Sequence, residues 1–456
     1  MTSLSPGPQS LVAAAIRRHD ATVHVCNKQE GELSTILKVF SRGLTKLLAA
    51  AALSIVAQAA TAATVGPVTD DLGVIRIAKG APIQIGAYWV LSGADTALGL
   101  DEKRGVEIAF KELGGSVLGH PLKLNAEDDS CNAEGGQTAA TKLAANPQTV
   151  IVLGPACSSA ATPGAPILWQ QGIVNICTAC TAPALTASTR KPEYAGFART
   201  VFSDSEQGKA DATYVHDVAK AQSVVTVHDG SPYAQQLQQV FADNFKQLGG
   251  KVLSQEAIAP SDVDMHPLLT RIASEKPDLI YFPVFTAAAA QILRQAKETP
   301  GLEKTALMGG GSLLSADFIE AAGPSVVGFR IGYPDLSPDA MGKNYPKFVE
   351  EYKKAYGEAP ISGYHANAYD GAMLAIKAIE QVAKTDDAGN TYIGKKALRD
   401  AVFSIKFDGI SGPIACDAYG ECSQFKPSVL EFTSSDPKTF GVGKNPKKIW
   451  PSTVSN

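Results

Sequence analysis

Short apolar runs rich in β-branched residues alternate along this chain with longer stretches whose apolar positions recur at helical spacing. Residues 82–90 read as a first strand and 101–113 as the helix after it. Residues 122–126, 149–153 and 173–177 read as further strands, separated by helices over 132–145 and 158–171. Ser158 stands where an N-cap hydroxyl is useful. Near Asp204 the series starts again, with strands over 223–227, 251–254, 278–282 and 305–308. The helices of this second series fall at 233–248, 266–275 and 287–298. Such alternation predicts βαβ units, parallel sheets and an α/β class. Helical patterns follow over 344–356 and 366–382, then a hairpin-like stretch over 412–425. The tail after Thr433, rich in Lys, Pro and Ser, reads as loosely ordered.

A short echo ties the two series together. Phe110-Lys111-Glu112-Leu113-Gly114-Gly115 closes the first helix of one, and Phe245-Lys246-Gln247-Leu248-Gly249-Gly250 closes the first helix of the other. Paired glycines at that point suit a helix that ends in a left-handed residue.

At 456 residues the chain is too long for one core and suits two α/β lobes. A net charge of −4, with no run of Lys or Arg, argues against nucleic acid as a partner. Nothing in the interior is apolar for long enough to span a bilayer. Near the start, Lys38, Arg42 and Lys46 precede an apolar run over 47–56 and the small residues Ala60-Thr61-Ala62. That is the pattern of a secretory signal peptide over 38–62, with residues 1–62 removed and the true start near Val39. An amphipathic N-terminal helix is the plainer alternative. No Cys follows the run closely, which disfavours a lipid anchor.

Cysteine use fits export. With Cys26 in the discarded leader, six remain: Cys131, Cys157, Cys177, Cys180, Cys416 and Cys422. An even number in an oxidising compartment suggests disulfides. Cys416 and Cys422 are spaced to staple a tight turn. Cys177-x-x-Cys180 has neither the second ligand pair a zinc site needs nor the setting of a redox pair, which favours structural pairing.

Catalytic spacings are absent: no nucleophile elbow, no His-Glu-x-x-His, no phosphate-binding Gly-rich loop and no histidine cluster. His228-Asp229, at a strand end, reads as a residue pair bonding its own turn. No metal or cofactor is expected. The informative segments are Gly154-Pro155-Ala156-Cys157-Ser158-Ser159 and Thr178-Ala179-Cys180-Thr181-Ala182-Pro183, both at strand C-termini. Either could be ordinary capping. Two in succession favour an anion held by hydroxyls, backbone N–H groups and a helix dipole.

These segments, with Asp128-Asp129-Ser130-Cys131, Asp204-Ser205-Glu206-Gln207-Gly208, His228-Asp229-Gly230-Ser231-Pro232-Tyr233 and Gln291-Ile292-Leu293-Arg294-Gln295-Ala296, give the chain its likeness. Over about 83–432 it resembles the periplasmic leucine/isoleucine/valine-binding family, the solute-binding proteins of branched-chain amino acid ABC importers. The resemblance implies two Rossmann-like lobes joined by hinge crossovers, with a ligand cleft between them. Lobe I would take 80–204 and 336–426, and lobe II 205–335 and 427–450. It implies a periplasmic monomer that is no enzyme and delivers a small ligand to importer permease subunits.

It implies further that Ser158, Ala179 and Thr181 hold the ligand carboxylate, that Tyr233, Phe285 and Tyr364 supply aromatic contacts, and that Cys131 pairs with Cys157. Two departures stand out. The family's acidic partner for the ligand ammonium falls on Gly311, and a buried ammonium without a countercharge is costly. Unless Asp204 or Glu206 substitutes, the ligand expected is a carboxylate without an amino group, such as an aromatic or branched aliphatic acid. Trp89 precedes a differing loop, with Leu98 where an aromatic is common; Trp89 is either a flat wall of the site or a core residue. A sensor of the same fold, feeding a signalling partner, is the main alternative role. A hydrolase using Cys180 or Ser158 lacks any base fixed by a motif.

Overall fold

The computed structural model describes residues 62–337, 339–441 and 443–451. Cys26 and the signal-peptide reading, apart from Ala62, lie outside the described residues. Strands in chain order are β1 (Ala63–Val65), β2 (Val68–Asp70), β3 (Val74–Ile77), β4 (Ile83–Trp89), β5 (Ser116–Val117), β6 (His120–Asp128), β7 (Thr149–Leu153), β8 (Val174–Cys177) and β9 (Phe197–Arg199). The second series adds β10 (Ser223–His228), β11 (Lys251–Ala257), β12 (Leu279–Tyr281), β13 (Ala306–Gly309) and β14 (Arg330–Pro334). Last come β15 (Lys384–Thr385), β16 (Thr391–Gly394), β17 (Lys406–Asp408), β18 (Pro413–Ala415), β19 (Pro427–Glu431) and β20 (Lys447–Trp450).

Two large sheets carry the architecture, in the orders β5-β6-β4-β7-β8-β9 and β11-β10-β12-β13-β14-β19-β20. From β6 to β9 the first is parallel throughout, and β11 to β14 of the second are likewise parallel. Their central strands are buried on both faces, as at Thr149–Leu153, Val174–Cys177 and Leu279–Tyr281, because helices cover each side. This is why apolar runs alone located them.

The first-sheet helices include α1 (Thr96–Glu112), α2 (Ala133–Ala144) and α3 (Ser158–Gln170). On the second sheet lie α4 (Asp204–Thr213), α5 (Pro232–Gln247), α6 (His266–Glu275) and α7 (Thr286–Glu298). The Gly-Gly echo has one physical form in both places. Gly115 N–H bonds Phe110 O at 2.9 Å and Gly250 N–H bonds Phe245 O at 3.0 Å. Gly114 and Gly249 take φ of 67° and 96°, the left-handed conformation that lets α1 and α5 close in this way.

The chain passes between the sheets beside Arg199–Asp204, Pro334–Asp335 and Glu421–Pro427, and these passages touch. Arg199 bridges Glu421, Asp335 N–H bonds Lys426 O at 2.8 Å, and Phe202 packs on Phe425 and Tyr333 at 5.3 and 5.6 Å. Three expectations need correction. α1 begins at Thr96, not 101, because buried Gly99, Asp101 and Glu102 blur its polar face. Ser158 is not the N-cap of α3; Cys157 is. The tail is not loose as far as 450, since β20 pairs with β19 as an edge strand whose Lys447 and Ile449 point outward.

Candidate functional site

The C-terminal ends of adjacent strands in both sheets converge on one small cavity. From the first sheet, the loop after β7 brings Ala156, Cys157 and Ser158, and the loop after β8 brings Ala179 and Thr181. From the second, Tyr233 follows β10, Phe285 follows β12 and Ser312 follows β13. Leu98 of α1 and Tyr364, just ahead of α8 (His365–Val382), complete the lining. Ligands of open α/β sheets sit at such strand ends.

Ser158 Oγ accepts the Ala182 N–H at 3.1 Å, which ties the two first-sheet loops together and leaves the hydroxyl proton free to point into the cavity. The N–H groups of Ala179 and Thr181 make no backbone hydrogen bond among the described residues. Ser158 also opens α3, a 13-residue helix whose positive end faces the same space. One hydroxyl, two amides and a helix terminus make a good cradle for a carboxylate. Among the described residues no Lys, Arg, Asp or Glu lines the cavity.

Behind this cradle sits Arg199, fully buried on β9. Its Nη1 donates to the carbonyls of Cys180 at 3.2 Å and Ala182 at 3.0 Å, and its Nε donates to Glu421 Oε2 at 3.0 Å. A second contact joins Nη2 to Glu421. The guanidinium thus fixes the loop that carries Ala179 and Thr181. Thr181 Oγ1 donates to Asp204 Oδ2 at 2.8 Å, so its hydroxyl is engaged within the protein. Asp204 does not line the cavity.

Of the residues singled out in the sequence, Ser158, Ala179, Thr181, Tyr233, Phe285 and Tyr364 line this one cavity. Trp89 does not: it is fully buried in the first-sheet core, its indole N–H donating to Thr178 Oγ1 at 3.3 Å. Gly311 lies one residue before Ser312 and is not part of the lining; a Cβ there would press on the Tyr333 ring. His228 accepts from Gly230 N–H and Asp229 from Ser231 N–H, so both serve their own turn. Cys131 pairs with Cys157, Cys177 with Cys180 and Cys416 with Cys422. Among the described residues no cluster could hold a metal ion, and no helix is long and apolar enough to cross a membrane.

Sequence reasoning missed Ser312, although its Gly-rich strand end was in view, and Asp95. Asp95 Oδ1 accepts the Thr286 N–H at 3.2 Å. The carboxylate at the start of α1 therefore caps α7, whose own N-cap, Phe285, has no side-chain oxygen to offer. No local pattern reveals a cap supplied from another element.

Burial lifts several carboxyls far above their ordinary range: Asp129 and Asp204 to about 7, Asp211 to about 8 and Asp370 to about 6. A carboxyl raised on folding gives its full stabilisation below the ordinary carboxyl range and loses it as pH climbs through the folded value. Stability should therefore fall between pH 5 and pH 8, by more than about 1 kcal/mol. Asp211→Asn should flatten the upper part of that slope, since Tyr281 and Gln207 still find an acceptor. Urea unfolding at pH 5, 6, 7 and 8 reads this directly; a rise in stability toward pH 8 would contradict it.

The periplasmic binding protein family profile matches residues 82–421. The Leu/Ile/Val-binding protein of Escherichia coli K12 is 27% identical over 366 residues, which cover 80% of this chain and 94% of that protein. A leucine-binding protein of Thermotoga maritima superposes with a TM-score of 0.69 at 25% identity, covering 77% of this chain and 96% of its own. A solute-binding protein of an R. palustris ABC transporter, solved with benzoate, superposes at 0.66 with 21% identity, covering 81% of this chain and 95% of that one. The fold of the chain is that of the type I periplasmic binding proteins.

Proposed function

The chain belongs to the periplasmic binding protein family, and from that premise we propose that it is the extracytoplasmic solute-binding component of a branched-chain-amino-acid-type ABC importer. In this reading it works in the periplasm as a monomer, performs no chemistry on its ligand, and passes it to the importer's permease subunits. The ligand is a small carboxylate without an amino group, an aromatic or branched aliphatic acid. One observation carries this: the cavity offers the Ser158 hydroxyl and the Ala179 and Thr181 amides to an anion, but no carboxylate to an ammonium. Benzoate held by the R. palustris protein indicates that this fold admits such acids.

Capture follows from the geometry. A carboxylate docks on the first-sheet cradle, and closure of the second half lays Tyr233 and Phe285 over the apolar remainder, at roughly 25 cal/mol per Å² buried. Calorimetry against leucine, benzoate and 4-methylpentanoate should show the acids binding and leucine not. Tight leucine binding with no acid binding would end this assignment. Ser158→Ala should weaken acid binding by about 1.5–3 kcal/mol through the lost charge-assisted bond; an unchanged Kd would remove Ser158 from the site.

The Asp95–Thr286 bond joins the two halves beside Leu98 and Phe285, so it favours the shut arrangement. Asp95→Ala should weaken acid binding by about 0.5–2 kcal/mol, the worth of a helix cap, mainly through faster release. Thr286→Pro removes the donor at a position where proline is tolerated, the preceding Phe285 being already extended at φ −84° and ψ 168°. If the two substitutions combine additively in stopped-flow release rates, the bond is not a link between the halves.

A further inference from the structure

The two walls of the cavity differ in chemistry. The first-sheet wall presents donors suited to an anion. On the second-sheet wall the polar groups are neutral hydroxyls: Tyr233 Oη donates to Ser312 Oγ at 3.3 Å, and Ser312 Oγ donates to the Val284 carbonyl at 2.9 Å. Tyr364, at the start of the helix His365–Val382 that packs on the first-sheet side, closes the space between the two walls. It is only 4% exposed and lines the cavity, and its hydroxyl makes no hydrogen bond to another of the described residues. Its oxygen lies close to the turn after β13, since a Cβ placed on Gly311 would lie 3.2 Å from it. The ring packs edge-on against Tyr333 at 5.6 Å, which leaves it little freedom to turn away. Burial raises the Tyr364 pKa well above the ordinary tyrosine value, so the group stays neutral, able to donate and to accept.

We propose that Tyr364 is a specificity-determining residue that reads a second, uncharged oxygen on the ligand, so that the acids this protein prefers are hydroxy- or oxo-substituted ones. This rests on the carboxylate reading above and narrows its ligand class. A ligand that ends in plain hydrocarbon leaves a buried hydroxyl unpaired, and a site built to hydrogen-bond a substrate oxygen rejects the analogue that lacks it. A hydroxyl or ketone satisfies Tyr364 in either direction of donation. An ammonium would meet only neutral oxygens on this wall.

The test is calorimetry on wild type and Tyr364→Phe with ligands matched in skeleton: benzoate with 4-hydroxybenzoate, and 4-methylpentanoate with its 2-hydroxy and 2-oxo derivatives. In at least one series the oxygen-bearing acid should bind wild type about ten-fold tighter than its parent, the worth of one well-made hydrogen bond. Tyr364→Phe should bring that ratio to within about two-fold. A ratio near one in both series for wild type overturns the proposal without any variant. So does a preference that survives in Tyr364→Phe. If leucine binds and no acid does, the carboxylate reading itself has failed, and this inference falls with it; acids that all bind alike sink only the inference.

Discussion

Arg199→Ala is expected to lower the free energy of unfolding by about 3–5 kcal/mol, the usual cost of breaking a buried ion pair by deleting one partner. The guanidinium is fully buried and answers several acceptors at once: Glu421, the carbonyls of Cys180 and Ala182, and the Thr186 hydroxyl. Without it the two carbonyls and the Thr186 hydroxyl lose their donor in a space that water cannot easily enter, and the part-exposed Glu421 loses its counter-charge. Lysine would not replace it, because a single ammonium cannot reach a carboxylate on one side and two carbonyls on the other. The same change should loosen the loop of Ala179 and Thr181 and weaken ligand binding even in the folded fraction. Urea unfolding followed by circular dichroism measures the first effect; a loss below about 1 kcal/mol would show that the clamp is dispensable.

Replacing Cys131 and Cys157 together by Ser should cost about 3 kcal/mol, the expected entropic contribution of a link spanning 26 residues. A local reason adds to the chain-entropy one. Ser130 and Cys131 both take positive φ, 49° and 55°, which side-chain-bearing residues rarely adopt. The turn is held by Asp128 and Asp129, whose carboxylates accept the N–H groups of Ser130 and Cys131, and by the bond to Cys157. Because Cys157 lines the cavity, reduction should also weaken binding. Equal unfolding midpoints with and without a reductant would refute the structural role of this pair.

How far the sequence could be read follows from where the information lies. Parallel strands covered on both faces must be apolar throughout, so 149–153 matched β7 to the residue. Helices that keep a polar face were found just as directly, as at His266–Glu275. α1 was read too short because its first turns carry Asp101 and Glu102 inward, where Asp101 accepts from His365 N–H and Tyr352 and Glu102 meets Thr178. Buried acids look like surface to any periodicity. The cradle residues were legible because hydroxyl-rich strand ends recur in two neighbouring loops. Arg199 and Asp95 act on partners 13 to 222 positions away, and no local signal announces such pairings.

The touching passages between the sheets limit how the molecule can move. A body tethered at one point may swivel about any axis, whereas tethers laid side by side leave essentially a single swing, like a book about its spine. Twist and sideways slip would pull Asp335 from Lys426 and Phe202 from Tyr333. A molecule held in the cavity would then be either shut between the covers or lost, and substitutions far from it would tune retention by changing how often the book lies open.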